Sequence, residues 1–149
     1  MTKLGWCATA LVVAACGKSS APVQPAKSAA AAVQGFMQAV ADSNLDKMAG
    51  LWGTANGSAA KTKQPQDYEK RIAIMQAFLR NDSYRLTSDV AEPDGRRALQ
   101  VQLRREACTW NVPFVAVQTG AGDWLVNQVD LTKAGNPARP CVPSDSTSQ

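Results

Sequence analysis

The stretch YRLTSDVAEPDGRRALQVQL, residues 84–103, decides the fold class. Apolar and polar residues alternate on either side of EPDG, which is the pattern of two half-buried strands joined as a hairpin. Pairing Leu86 with Val101 puts the apolar side chains on one face, whereas a three-residue loop would set them opposite polar side chains. Because Pro93 cannot take the positive φ of a primed two-residue turn, we predict a four-residue loop, 92–95, around a type I turn with Pro93 at its second position.

The other face of this hairpin is polar and carries arginine. Arg85 and Arg104 alternate with its apolar residues and fall on that face. Guanidinium groups bind carboxylates and phosphates in a bidentate manner, so Arg85 and Arg104 are candidate binding residues for lipid, peptidoglycan or a partner protein. The alternative is an ordinary solvated sheet face. The arginines of this region are Arg80, Arg85, Arg96, Arg97, Arg104 and Arg105.

Helical periodicity precedes the hairpin and strand periodicity follows it. Apolar residues at spacings of three and four predict three helices, with Ser28 capping the first and Asn44 the second. The long segment between the second and third helices is predicted to be a loop. Pro113 inside the third strand indicates a bulge or an edge strand. The predicted helices cover 29–42, 45–52 and 67–79, the loop 53–66, and the later strands 108–117 and 124–131.

This order predicts one α+β domain, residues 29–131, followed by an irregular tail, 132–149. The chain has 16 basic and 12 acidic side chains, a mild balance that argues against a nucleic-acid partner. It contains no histidine, so the most common general base and metal ligand is missing. We predict no catalytic residue, cofactor or metal, and we interpret Tyr84 as a core residue and Asp130 as a solvated strand end.

Three tryptophans form the second set of candidate binding residues. Trp52, Trp110 and Trp124 each combine a large apolar body with one hydrogen-bond donor, which suits pockets and interfaces. The alternative interpretation places them in the core together with Phe36 and Phe78.

The segment that ends at Cys16 resembles the lipobox of bacterial lipoproteins. Val13–Cys16, VAAC, follows Lys3 and a short apolar run that fits a signal peptide and is too short to span a bilayer, which takes about 20 residues. The resemblance implies that residues 1–15 are removed, that Cys16 carries lipid (palmitate), and that 16–28 tethers the domain to a membrane of the periplasm. No aspartate follows Cys16, and by the same resemblance this implies the outer membrane rather than the inner one. An ordinary signal peptide or an uncleaved anchor is the alternative.

The remaining cysteines form an even pair. Cys7 lies in the predicted signal peptide, which leaves Cys108 and Cys141 in an oxidising compartment. We expect these two to form a disulfide, with two free thiols as the alternative. The bridge would tie the tail to the start of the third strand, and the chain-entropy model gives it roughly 3–4 kcal/mol.

Two further stretches resemble the nuclear transport factor 2-like family, the cystatin-like cone. They are AAVQGFMQAVADSNLDKMAGLW, residues 31–52, and GDWLVNQVDL, residues 122–131. The resemblance implies N-terminal helices packed on a curved antiparallel sheet, and another helix-plus-meander topology is the alternative. We expect a lipid-anchored, non-catalytic envelope domain that binds a protein or a small apolar ligand through its concave sheet and loops. The alternatives are an immunity or inhibitor lipoprotein that neutralises a secreted antibacterial toxin, and a small isomerase- or cyclase-like enzyme.

Overall fold

The computed structural model describes residues 22–142. The predicted signal peptide, the predicted lipidation site Cys16 and residues 17–21 of the predicted tether lie outside the described residues, as does the tail after Val142. Helices and a short hairpin come first, and four longer strands follow. In chain order the elements are α1 Ala29–Ala41, α2 Leu45–Leu51, β1 Gly53–Thr54, β2 Gly57–Ser58, α3 Ala59–Thr62, α4 Tyr68–Leu79, β3 Ser83–Ala91, β4 Arg97–Arg105, β5 Cys108–Gln118 and β6 Trp124–Val129, with a final 3-10 turn at Leu131–Lys133.

The first two helices begin at their predicted caps. The Ser28 hydroxyl accepts a hydrogen bond from the backbone N–H of Ala31 at 3.1 Å, and the Asn44 side-chain oxygen accepts one from that of Lys47 at 2.9 Å. Each bond satisfies an N–H that the start of a helix leaves without an intrahelical partner. The apolar stripe of α1 is completely buried, with Val33, Phe36, Met37 and Val40 at most 1% exposed.

The four long strands form one curved antiparallel sheet in the order β3-β4-β5-β6. Helix α1 packs against the face that carries Leu99, Val101 and Phe114, all at most 1% exposed. Phe36 of α1 meets Phe114 edge to face, with ring centroids 6.4 Å apart. Side chains therefore fill the space between α1 and the sheet. The predicted α+β class, with helices on a curved antiparallel sheet, is confirmed.

The β3–β4 hairpin follows the predicted register only in its first half. Pairing holds from Ser83 to Leu86, and Thr87 then forms a β-bulge. Gly95, at φ +79°, donates its N–H to the carbonyl of Glu92 at 3.2 Å, which makes a type I turn with Pro93 second. The predicted four-residue loop is wrong. A type I turn followed by a left-handed glycine gives a three-residue loop. The register that this loop sets differs by one residue from the pairing of Leu86 with Val101, and the extra residue is accommodated in the bulge at Thr87.

Pro113 was predicted to mark a bulge or an edge strand; it lies in an interior strand, so the edge-strand alternative is wrong. The Pro113 carbonyl accepts a hydrogen bond from the N–H of Asp130 at 3.0 Å, one residue after β6 ends. In an antiparallel strand the N–H and C=O of a residue point to the same neighbour. Pro113 has no N–H to donate toward β6, but β6 has already ended at this position. The sheet therefore loses few backbone hydrogen bonds. A register shift lies two residues later, between Val115 and Ala116.

The predicted loop 53–66 contains structure. Gly53 pairs with Ser58 and Thr54 with Gly57, and α3 follows at once. Trp52 forms a parallel bridge with Val126, so this small hairpin lies beside β6. Strands of two residues are too short to show an alternating pattern, which is why sequence periodicity did not detect them.

Candidate functional site

A cleft of about 650 Å³ opens at the end of the sheet where β6 begins. Its walls come from four parts of the chain: residues 23–26, α2, the β1–β2 hairpin with the start of α3, and the turn between β5 and β6 with the start of β6. A cleft of this size with an apolar lining and a few polar groups is typical of small-molecule sites. The apolar side chains in its walls include Val23, Leu51, Ala60, Trp124 and Leu125.

Residues 23–26, which we call the strap, form one wall of the cleft. Val23 packs over α2 at Gly50, where a Cβ would lie 2.9 Å from the valine side chain. The Ala26 carbonyl accepts a hydrogen bond from the backbone N–H of Trp124 at 2.9 Å. A second cleft, of about 640 Å³, also borders the strap. The strap is therefore held by one backbone bond and by close packing on a glycine.

The β1–β2 hairpin depends on two glycines and is bonded to β6. A Cβ at Gly53 would lie 2.3 Å from the Gly57 carbonyl oxygen, and Gly57 has a φ of +133°, so a larger residue would strain either position. The Asn127 side chain donates to the Gly53 carbonyl at 2.8 Å. The Trp52 indole donates to the Asn127 carbonyl at 3.2 Å. These contacts fix the wall of the cleft to the sheet.

The polar groups of the cleft are few. Ser58 is the one buried polar residue among residues 22–142, at 8% exposure, and its hydroxyl makes no capping bond to α3. Asp46 and Lys61 line the cleft and are exposed. Asp123 also lines the cleft and is paired with Lys27 at 2.6 Å. The arrangement offers a ligand the hydroxyl of the buried Ser58 and, at the rim, one cation and one carboxylate not held in an ion pair within the described part of the chain.

The three predicted tryptophans have different positions. Trp124 lines the cleft, whereas Trp52 anchors the β1–β2 hairpin. Trp110 stacks against Arg105, with the guanidinium carbon 4.7 Å from the ring centroid. It also packs on Gly135, where a Cβ would lie 2.5 Å from the indole. The structure thus gives Trp52 and Trp110 contacts within the fold and places Trp124 at the candidate site.

Arg105 holds the tail against the sheet. Its guanidinium donates to the carbonyls of Phe78 at 3.1 Å, Arg80 at 3.3 Å and Ala134 at 3.2 Å. Burial lowers the pKa of Arg105. The alternation of β4 indicates this orientation: Arg105 lies two residues after the buried Leu103, so its side chain points to the core side of the sheet.

Arg85 and Arg104 lie on the outer face of the sheet, away from α1, and both are exposed. Arg85 pairs in register with Gln102, and Arg104 with Ser83, so the two arginines are diagonal neighbours on adjacent strands. Arg85 donates to the Gln102 amide oxygen at 2.7 Å. The structure therefore brings these two candidates together, in a region separate from the cleft.

The two groups weighed for proton transfer have structural contacts. The Asp130 carboxylate accepts a hydrogen bond from the Thr132 N–H at 3.1 Å and so caps the final 3-10 turn. The Tyr84 hydroxyl donates to the Gln34 carbonyl at 3.2 Å, and burial raises the pKa of its phenol. A raised pKa keeps the phenol protonated near neutral pH. Neither residue lines the cleft.

Within residues 22–142, no group of three or more metal-ligating side chains occurs. None of the helices in this range is long and apolar enough to cross a bilayer. No family model, curated protein or solved structure matches the chain. Its function must therefore be inferred from the chemistry of its own surfaces.

Proposed function

We propose that this chain is a lipid-anchored envelope protein whose cleft binds a small, mainly apolar ligand. The observation that carries the proposal is the cleft itself, with apolar walls from the strap, α2 and Trp124 and one buried hydroxyl, Ser58. Apolar walls supply binding free energy by removing ligand surface from water, at about 25 cal/mol per Å². A single buried hydroxyl orients the ligand without demanding a charged group.

The proposed anchor favours a ligand that comes from the membrane. Pro22 is the sixth residue after Cys16, and a chain extends by at most about 3.6 Å per residue. The wall of the cleft at Val23 would then lie within about 25 Å of the lipid-bearing residue. Cys108 and Cys141 lie at disulfide distance, with their Cα atoms 5.9 Å apart, and this pair supports an oxidising compartment.

For the fold we propose the nuclear transport factor 2-like cone. Its support is the order of the elements, in which N-terminal helices and a short hairpin precede a curved antiparallel sheet on which α1 packs. The cone resemblance implied a ligand on the concave face of the sheet. Because side chains occupy the space under α1, we assign the ligand to the cleft beside β6 instead.

Substitution of Gly120 tests the cleft. Gly120 lies in its wall, and a Cβ there meets nothing within 4 Å, so the indole of Gly120→Trp can occupy the cleft without straining the backbone. The full-length protein would be reconstituted in vesicles that contain a photoactivatable acyl lipid, and adducts mapped by mass spectrometry. We expect adducts on residues 119–125 and 55–61, lost in Gly120→Trp and retained in the matched Gly120→Ala. Equal labelling of both variants would contradict the cleft.

The anchor has its own test. Metabolic labelling with palmitate should mark the wild-type chain and leave Cys16→Ala unlabelled. Label that persists in Cys16→Ala would overturn the lipoprotein assignment while leaving the cleft to be judged by the adduct map.

A further inference from the structure

A groove runs along the edge of the sheet opposite the cleft. Within the described chain β3 is an outer strand that pairs only with β4, and residues 87–91 are all exposed. Between the start of β3 and the exposed side of α1 lies a shallow groove of about 730 Å³, which residues 84–86 line from the strand side. An edge strand offers unpaired backbone N–H and C=O groups to another strand.

The groove is positively charged. Lys47 reaches it from α2 and Arg85 from β3, and no carboxylate is among its lining residues. Two acids lie near it: Asp42, which follows α1 and accepts a hydrogen bond from Gln38 at 2.9 Å, and Asp46, which precedes Lys47 and lines the cleft of about 640 Å³ that borders the strap. Arg104 adds a second exposed guanidinium beside Arg85 on the outer face of the sheet. Cations therefore flank the edge strand on both of its faces.

We propose that an extended acidic segment of a partner protein adds to β3 as a further strand. Side chains of an added strand alternate between the two faces of the sheet, so carboxylates on one face would meet Lys47 and those on the other Arg85 and Arg104. Main-chain hydrogen bonds supply affinity in this mode of recognition and the side chains supply specificity. The bulge at Thr87 limits regular pairing to residues 83–86.

A second copy of this chain is a poorer occupant. Two β3 strands placed edge to edge would bring Arg85 of each copy close to the other. The carboxylate of β3, Asp89, is already paired with Arg97. Charge complementarity thus favours an acidic partner over self-association. The proposed partner does not depend on which ligand the cleft binds.

Peptide binding to the full-length protein in detergent micelles tests the proposal. The probe is a fluorescein-labelled peptide of alternating Glu and Val, compared with the same peptide carrying Gln for Glu and with one N-methylated at alternate backbone amides. Fluorescence anisotropy should show binding of the Glu peptide, weakened about fivefold or more by each change, about 1 kcal/mol, and weakened by salt. Arg85→Gln should cause a similar loss, and Arg139→Gln in the exposed tail should not.

Three outcomes would overturn the proposal. Equal affinity for the N-methylated peptide would mean that charge alone drives binding and that no strand is added. Equal affinity for the Gln peptide, or an unchanged affinity in Arg85→Gln, would exclude an acidic segment as the occupant of the groove. Self-association of the chain that the Glu peptide reverses would assign the groove to a second copy.

Discussion

Replacing Arg105 with methionine should lower the free energy of unfolding by about 2–3 kcal/mol. The guanidinium donates to the partly buried carbonyls of Phe78 and Ala134, and each such bond contributes about 1 kcal/mol net. Its stacking on Trp110 adds about 0.5–1 kcal/mol. The third hydrogen bond, to the carbonyl of Arg80, is exposed to water, so we assign it no contribution to the free energy of unfolding. Methionine keeps an unbranched apolar side chain against the Trp110 indole. The substitution therefore removes the guanidinium hydrogen bonds and retains most of the apolar packing.

Urea unfolding of the oxidised chain, followed by tryptophan fluorescence, measures this loss as a shift of the midpoint at constant slope. Arg104→Met is the matched control, because Arg104 is the preceding residue and is exposed on the opposite face. Its effect should stay within about 0.5 kcal/mol. Arg105→Lys should recover less than half of the loss, since an ammonium cannot reproduce the planar fork. Equal losses for the two methionine variants would refute the role assigned to Arg105.

Three further perturbations follow from the same structure. Gly135 has a φ of +69° and no room for a Cβ beside Trp110, so Gly135→Ala should cost about 1–3 kcal/mol and lower the melting temperature. Cys108→Ser with Cys141→Ser frees a loop of separation 33 and should cost roughly 3–4 kcal/mol in urea; an unchanged midpoint would contradict the bridge. Because burial raises the pKa of Tyr84, folding favours its neutral phenol. That stabilisation holds below about pH 10 and is lost as the pH rises through the folded pKa; tyrosinate absorbance should show a late component that Tyr84→Phe removes.

The hairpin at the centre of the sequence shows how far pattern reasoning reaches. The alternation around Leu86 and Val101 predicted the strands, their shared apolar face and the register of the first half. It could not predict the bulge at Thr87. The apolar pairing of Leu86 with Val101 requires one register and the three-residue turn requires another that differs by one residue, and the bulge is what joins the two. Capping residues did better, since Ser28 and Asn44 act on N–H groups three residues away.

The candidate site was the least predictable part. The cleft is assembled from the strap, a hairpin of two-residue strands, a turn and one side of α2, and of these four only α2 has a periodic pattern. Trp124 was predicted as a binding residue from its type alone, and the same argument selected Trp52 and Trp110. Those two contact Asn127 and Arg105 within the fold, and no pattern in the sequence indicates these contacts. Residue type identifies side chains suited to a site, while only packing separates those that face a ligand from those that hold the fold.

The cleft and the β3 groove lie on opposite edges of the sheet, and they should therefore bind independently. The cleft borders β6 and the strap, and β3 is three strand spacings away, about 15 Å. Filling the cleft with Gly120→Trp changes neither the charge of the groove nor the backbone of β3, so the affinity of the Glu peptide should stay within about twofold, under 0.5 kcal/mol. If Cys16 carries lipid as we propose, the strap would hold the β6 edge toward the membrane and leave β3 accessible to a partner. A Gly120→Trp variant that loses peptide binding would show instead that the two regions form one site, continuous across the exposed side of α1.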